Sequence, residues 1–211
     1  MHKSPGHAAH FIAVSGNIGA GKSSLVGFLS KRFGLRPLYE PVEDNPYLVD
    51  FYADMKHWAF HSQMFYLSRK LSLHFDAQSA EGKVVLDRTI YEDAEIFAEA
   101  LHRRRVLVGR DYRTYRELYE LIRGQLQPPD LMIYLRASIR TVRRRIRERG
   151  RPEEQNMPRS YLRMLHELYE GWFEAYDLGP KVVIETDELN YLTDLVDRID
   201  LIERIEKLLA A

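Results

Sequence analysis

The chain has no cysteine among its 211 residues, which excludes a disulfide framework and a thiolate metal site. It has no net charge either, 31 basic residues against 31 acidic ones, so no global field favours nucleic acid and only local arginine clusters need a reason. Long hydrophobic runs are missing: nothing approaches the roughly 20 apolar residues of a membrane-spanning helix. Met1 to Ala9 are polar and lack the apolar centre of a signal peptide, so a loose N-terminal tail over 1–9 is expected. Together these absences describe a cytoplasmic protein with neither a membrane nor nucleic acid as partner. What is present is an ordinary globular composition, and residues 10–211 are expected to form one domain with a substantial core.

Gly16-Asn17-Ile18-Gly19-Ala20-Gly21-Lys22-Ser23 matches the P-loop pattern GxxxxGK(S/T) in full. It follows the apolar run Phe11-Ile12-Ala13-Val14 and precedes a helical pattern around Leu25, Phe28 and Leu29. Glycines let backbone N–H groups turn inward around phosphate oxygens, and a helix N-terminus adds partial positive charge. Lys22 can reach the outer phosphates, and the Ser23 hydroxyl can ligand Mg²⁺. The segment points to a bound nucleoside triphosphate.

Short apolar runs at Phe11–Ser15, Arg36–Tyr39, Val84–Asp87, Leu131–Leu135 and Val182–Glu185 read as strands. Helical patterns cover about Lys22–Phe33, Lys56–Ala80, Asp93–Arg104, Asp111–Leu126, Thr141–Arg149, Ser160–Tyr176 and Leu195–Leu209. The alternation predicts an α/β fold, a five-stranded parallel sheet flanked by helices on both faces. In such sheets ligands sit beyond the carboxyl ends of the strands, so the strand ends matter most.

The second strand ends Tyr39-Glu40-Pro41, where Pro41 keeps Glu40 extended at the rim. A carboxylate there suits a base that accepts a proton from an attacking alcohol, or a plain surface acid. The third strand ends Asp87-Arg88-Thr89: an acid after apolar residues fits a Walker-B type Mg²⁺ ligand, and Arg88 could neutralise a transferring phosphoryl group or simply pair with its neighbour. The arginine-rich run from Arg143 to Glu154 places Arg145 and Arg149 on one helical face, broken by Gly150 and Pro152 into a loop. That suits a lid closing on phosphate over about 145–156, although a solvated helix face is the plain alternative.

Taken in order, these motifs resemble the deoxynucleoside kinase family, over nearly the whole chain from Phe11 to the last helix. The matching elements are the P-loop, Glu40-Pro41-Val42, Tyr52, Trp58 with Gln63, Asp87-Arg88-Thr89 with Asp93, and the run from Arg145 to Glu154. The string from Glu40 to Leu48 is most similar to the bacterial deoxyadenosine and deoxyguanosine kinase branch. The resemblance implies a three-layer P-loop kinase fold with an arginine-rich lid, acting as a homodimer on a deoxynucleoside, with ATP as donor and Mg²⁺ as cofactor. Glu40 would take the proton from the 5′-hydroxyl, with Asp87 the alternative acceptor; Arg88 would contact the 5′ oxygen and phosphates, and Ser23 and Asp87 would hold Mg²⁺. Ser15, Gly16, Asn17, Ile18, Gly19, Ala20, Gly21, Lys22 and Ser23 would hold ATP, clamped by Arg145, Arg149 and Arg151. Tyr52 and Glu154 would grip the sugar 3′-hydroxyl, and Gln63 and Asp93 the base edge. Asp93 also suits a helix N-cap.

One position departs from the family. Where an arginine twelve residues after the tryptophan reads the base, this chain has Lys70, with Arg69 one residue earlier. Adjacent helical residues diverge by about a hundred degrees, so the two cannot both face one base. Among rivals, a thymidylate-like monophosphate kinase should carry a cation, not Glu40, for its charged acceptor. A nucleotide-binding subunit should have lost Lys22 or the acids.

Overall fold

The computed structural model describes residues 10–39, 45–155, 157–188 and 195–210. The expected tail over 1–9 and the strand-end acid Glu40 lie outside the described residues. The sheet contains β1 (Phe11–Gly16), β2 (Arg36–Leu38), β3 (Val84–Asp87), β4 (Leu131–Arg136) and β5 (Lys181–Glu185). All pairings are parallel in the order β2-β3-β1-β4-β5, with Val14 opposite Asp87 and Gly16 opposite Leu135. The P-loop and the end of β3 therefore emerge side by side.

Alternate residues of each strand enter opposite layers, as the pleat requires. Phe11, Ala13, Val84, Leu86, Met132 and Tyr134 pack beneath α3 (Met55–Gln78), the helical segment after β3, α6 (Gly109–Arg123) and most of α9 (Arg159–Ala175). Ile12, Val14, Val85, Ile133 and Leu135 pack against α1 (Lys22–Phe33), α7 (Ile139–Arg149) and α10 (Leu195–Ala210). The central strands β1, β3 and β4 are thus buried on both faces, which is why strands such as Val84–Asp87 read as continuous apolar runs.

Several boundaries differ from expectation. Two short helices, α2 (Leu48–Ala53) and α8 (Pro152–Gln155), occupy stretches read as irregular, and β2 stops at Leu38. The helix expected to start at Asp93 begins at Ile90, because Thr89 and Glu92 form a reciprocal capping box. Asp93 is therefore not an N-cap. It opens a π-helical segment, Asp93–Ala98, set between α4 (Ile90–Glu92) and α5 (Glu99–Arg103). The wider turn gives the helix an irregular register beside the third strand's end, a common location for π segments at functional sites. No helix among the described residues is long and apolar enough to cross a membrane.

Candidate active site

The P-loop is shaped by glycines where no side chain fits. Gly16 has φ 150°, and a Cβ there would come within 2.9 Å of the Leu135 carbonyl. Gly19 has φ 76°, and its Cβ would meet Ile146 Cγ1 and the Val142 carbonyl of α7, each at 3.1 Å. Gly21 caps α1 in the left-handed region. The buried Lys22 ammonium donates to the carbonyls of Gly16 and Asn17 at 2.8 and 3.0 Å. Asn17 Nδ2 donates to the Leu162 carbonyl, tying the loop to α9, and its Oδ1 accepts from the Ile18 N–H. Ser15 is fully buried beneath.

Ser23 Oγ donates to Asp87 Oδ2 at 2.5 Å. The other carboxylate oxygen, Asp87 Oδ1, is buried without a hydrogen-bond partner among the described residues. A buried, unsatisfied carboxylate oxygen beside a hydroxyl is a costly arrangement for a protein alone, and hard oxygen donors of this kind fit Mg²⁺. Among the described residues no group of three or more acidic, histidine or cysteine side chains gathers as a metal cage.

Arg88 follows at φ 65°, left-handed backbone that a non-glycine residue adopts only at a cost. Its N–H donates to the Val14 carbonyl, and the buried Lys70 ammonium donates to the carbonyls of both Asp87 and Arg88, at 3.3 and 3.2 Å. The guanidinium lies 4.5 Å from the centre of the Phe97 ring and its Nε 3.8 Å from Glu92 Oε1. Glu92 itself is fully buried. Its Oε2 accepts from Thr89 N–H and hydroxyl, while Oε1 accepts from the Tyr169 hydroxyl at 3.0 Å and, longer, from Gly16 N–H at 3.4 Å. One carboxylate thus touches the start of the P-loop, the Arg88 side chain, the helix cap and α9. Sequence reading passed over Glu92, although its Thr-x-x-Glu spacing carried the signal of a capping box.

The base-side residues are divided by the structure. Gln63 and Asp93 are both buried, Gln63 with its Oε1 unpartnered among the described residues. Lys70 is buried at the backbone just described, whereas Arg69 lies on the exposed face of α3 with its guanidinium 5.2 Å from the Phe65 ring. The structure does not bring Arg69 to the strand ends. Trp58 stacks on Tyr47, at 5.9 Å between ring centres.

Tyr52, on α2, is 46% exposed. It acts electrostatically on Tyr161 together with Arg88 and Arg104, and Arg104 lies 5.0 Å over the Tyr161 ring. Burial pushes the Tyr161 hydroxyl up to about 12, opposed by the nearby arginines, so it remains a proton donor at neutral pH. Tyr161 was not singled out by sequence, since a lone aromatic on a helix carries no pattern.

The arginines after the P-loop take different posts. Arg145 donates to the Ala20 carbonyl at 3.0 Å and to the hydroxyl and carbonyl of Thr186, joining the P-loop to the segment after β5. Arg149 donates to the buried Glu154 Oε2, and Arg151 lies 3.7 Å from Glu154 Oε1. The structure therefore gathers Arg149, Arg151 and Glu154 in one cluster.

The family model described as deoxynucleoside kinase matches residues 12–210. A deoxyguanosine kinase of Lactobacillus acidophilus is 40% identical, covering 89% of this chain and 85% of its own. A deoxyadenosine/deoxycytidine kinase of Bacillus subtilis is 35% identical, over 87% and 85%. Among solved structures, deoxyadenosine kinase from M. mycoides with bound dATP superposes with a TM-score of 0.79 at 32% identity, covering 93% of this chain and 99% of that one. With the family model matching nearly the whole chain and relatives of 35–40% identity covering most of it, the chain belongs to the deoxynucleoside kinase family.

Proposed function

We propose that the chain transfers the γ-phosphoryl group of ATP to the 5′-hydroxyl of a purine deoxynucleoside, giving the 5′-monophosphate. The observation that carries this reading is the pairing of Ser23 and Asp87 at 2.5 Å beside the P-loop lysine, with Arg88 held at the same rim. Phosphoryl transfer of this kind depends on positioning and on stabilising charge spread over phosphate oxygens. The P-loop N–H groups and Lys22 hold the donor phosphates, displacing the lysine from its own loop carbonyls. Ser23 and Asp87 would hold Mg²⁺, which when bound would neutralise developing charge on the β- and γ-phosphates.

Glu40 is the proposed proton acceptor. Asp87 already receives the Ser23 hydroxyl on one oxygen, which suits it to the metal and leaves the 5′-hydroxyl to another acid. Arg88 follows the charge on the entering oxygen, and Gln63 and Asp93 face the base. Tyr52 and Glu154 take the 3′-hydroxyl as residues 145–156 close over the phosphates, with Arg145, Arg149 and Arg151 as clamp. The purine preference rests on relatives named for deoxyguanosine and deoxyadenosine, although one is named for deoxycytidine as well. A homodimer pairing through the helices beside the sheet belongs to the same reading. Sedimentation would test it, a monomer at micromolar concentration counting against it. The role of Glu40 is tested with Glu40→Gln: a loss of about a hundredfold or more in kcat is expected, and near-normal kcat would assign the proton to Asp87 instead.

A further inference from the structure

The arginines of α7 divide between two faces. Arg145 and Arg149 are engaged by Thr186, Ala20 and Glu154. Arg140, Arg143 and Arg147 recur at spacings of three and four and so share another face. With Ile139 and with Arg159, the first residue of α9, they line a concavity of about 280 Å³. All four arginines are exposed, and none pairs with a carboxylate among the described residues. Their nearest helical acid, Glu148, is turned to Arg144 instead, at 3.9 Å. This contrasts with Arg32, Arg103, Arg116, Arg123 and Arg136, each within 3.3 Å of a carboxylate.

We propose that this concavity is an oligophosphate site, separate from the P-loop, which takes a chain of three or more phosphates. Four guanidinium groups around one small cavity repel one another, and the repulsion is relieved by a ligand carrying several adjacent negative charges. Guanidinium forks match phosphate oxygens two at a time. A single carboxylate would leave most of the positive charge unmatched. Among the described residues no aromatic ring lines the cavity and Ile139 is its one apolar residue, so these side chains offer contacts to a phosphate chain and no stacking surface for a base. The ligand is therefore either the tail of a nucleoside triphosphate or inorganic tripolyphosphate. Because α7 and α9 flank the segment bearing Arg151 and Glu154, a bound chain would tie the two ends of that segment together.

Calorimetric titration of the full chain with tripolyphosphate at low salt tests this. Wild type is expected to bind a P-loop equivalent and a second one. Lys22→Ala should lose the first and keep the second. Arg140→Ser with Arg143→Ser should weaken the second by at least about tenfold, with kcat for deoxynucleoside within about twofold of wild type as the control for folding. Arg159→Ser, on the other helix, should weaken the same equivalent independently. Titration with ATP in the Lys22→Ala variant separates the sources: uptake at the second site names the nucleotide tail, and exclusion of ATP with tripolyphosphate retained names the inorganic chain. Absence of a second equivalent, its persistence at full affinity in the arginine variants, or binding of single-stranded RNA there in place of tripolyphosphate would overturn the assignment.

Discussion

Glu92 and Lys70 both hold the reacting end of β3. Every close partner of the Glu92 carboxylate is a donor, from Thr89, Tyr169 and Gly16, so Glu92→Gln would turn an amide N–H₂ against a donor. We expect kcat to fall by about tenfold or more while the P-loop still binds nucleotide, measured by steady-state kinetics beside a nucleotide titration. A lowered melting temperature with unchanged kcat would make the residue purely structural. Lys70→Met removes the ammonium that holds the Asp87 and Arg88 carbonyls. A loss of about 2 kcal/mol is expected, with the ratio of deoxyadenosine to deoxyguanosine turnover unchanged; an altered ratio at constant stability would show that Lys70 reads the base. At this scale the P-loop, Asp87 and Arg88 were legible because their spacing is local. The posts of Lys70 and Tyr161 were not, because each is defined by partners distant in sequence.

α7 rests directly on the P-loop through Ile146 and Val142, at the point where Gly19 has no side chain. Gly19→Ala would push a methyl group into that contact and strain a left-handed residue, raising KM for ATP by about tenfold. Gly34→Ala is the control: it is equally left-handed, at φ 68°, but open within 4 Å, so it should cost roughly 1 kcal/mol of stability and leave KM alone. α3 carries a pH-dependent term of its own. His74 is fully buried, its Nε2–H donating to the Gln127 carbonyl, with Nδ1 unpartnered among the described residues and Phe11 and Tyr91 against the ring. Burial holds it below the ordinary 6.5. The unfolded chain then binds the proton first, so this contribution is whole above pH 6.5 and is lost as pH falls through the histidine's folded value. Melting temperature should drop between pH 7 and 5 in wild type and drop less in His74→Phe. The five strands and the long helices were readable from period and run length. The π segment and the short α2 and α8 were not, because segments of four to six residues are too short to show a period, and the capping box of Thr89 and Glu92 moves the helix start three residues ahead of Asp93.

The whole molecule is a parallel sheet that sets two strand ends next to each other, one ending in a phosphate loop and the other in Asp-Arg. Both layers of helices serve that juxtaposition: α1 and α7 hold the loop from one face, while α3, α9 and the π segment hold Asp87, Arg88 and Glu92 from the other. The class of fold followed from the alternation of strands and helices, and the acceptor side followed only from resemblance, since no spacing rule links Glu40, Gln63 and Asp93 across 53 residues. The central claim is that the acceptor is a neutral sugar hydroxyl. Purified protein with γ-labelled ATP and Mg²⁺ should be offered the four deoxynucleosides and, separately, their 5′-monophosphates. The account predicts labelled monophosphate from deoxyadenosine and deoxyguanosine, abolished by Lys22→Ala, and no labelled diphosphate; label passing to the monophosphates alone, or to no acceptor, would contradict it.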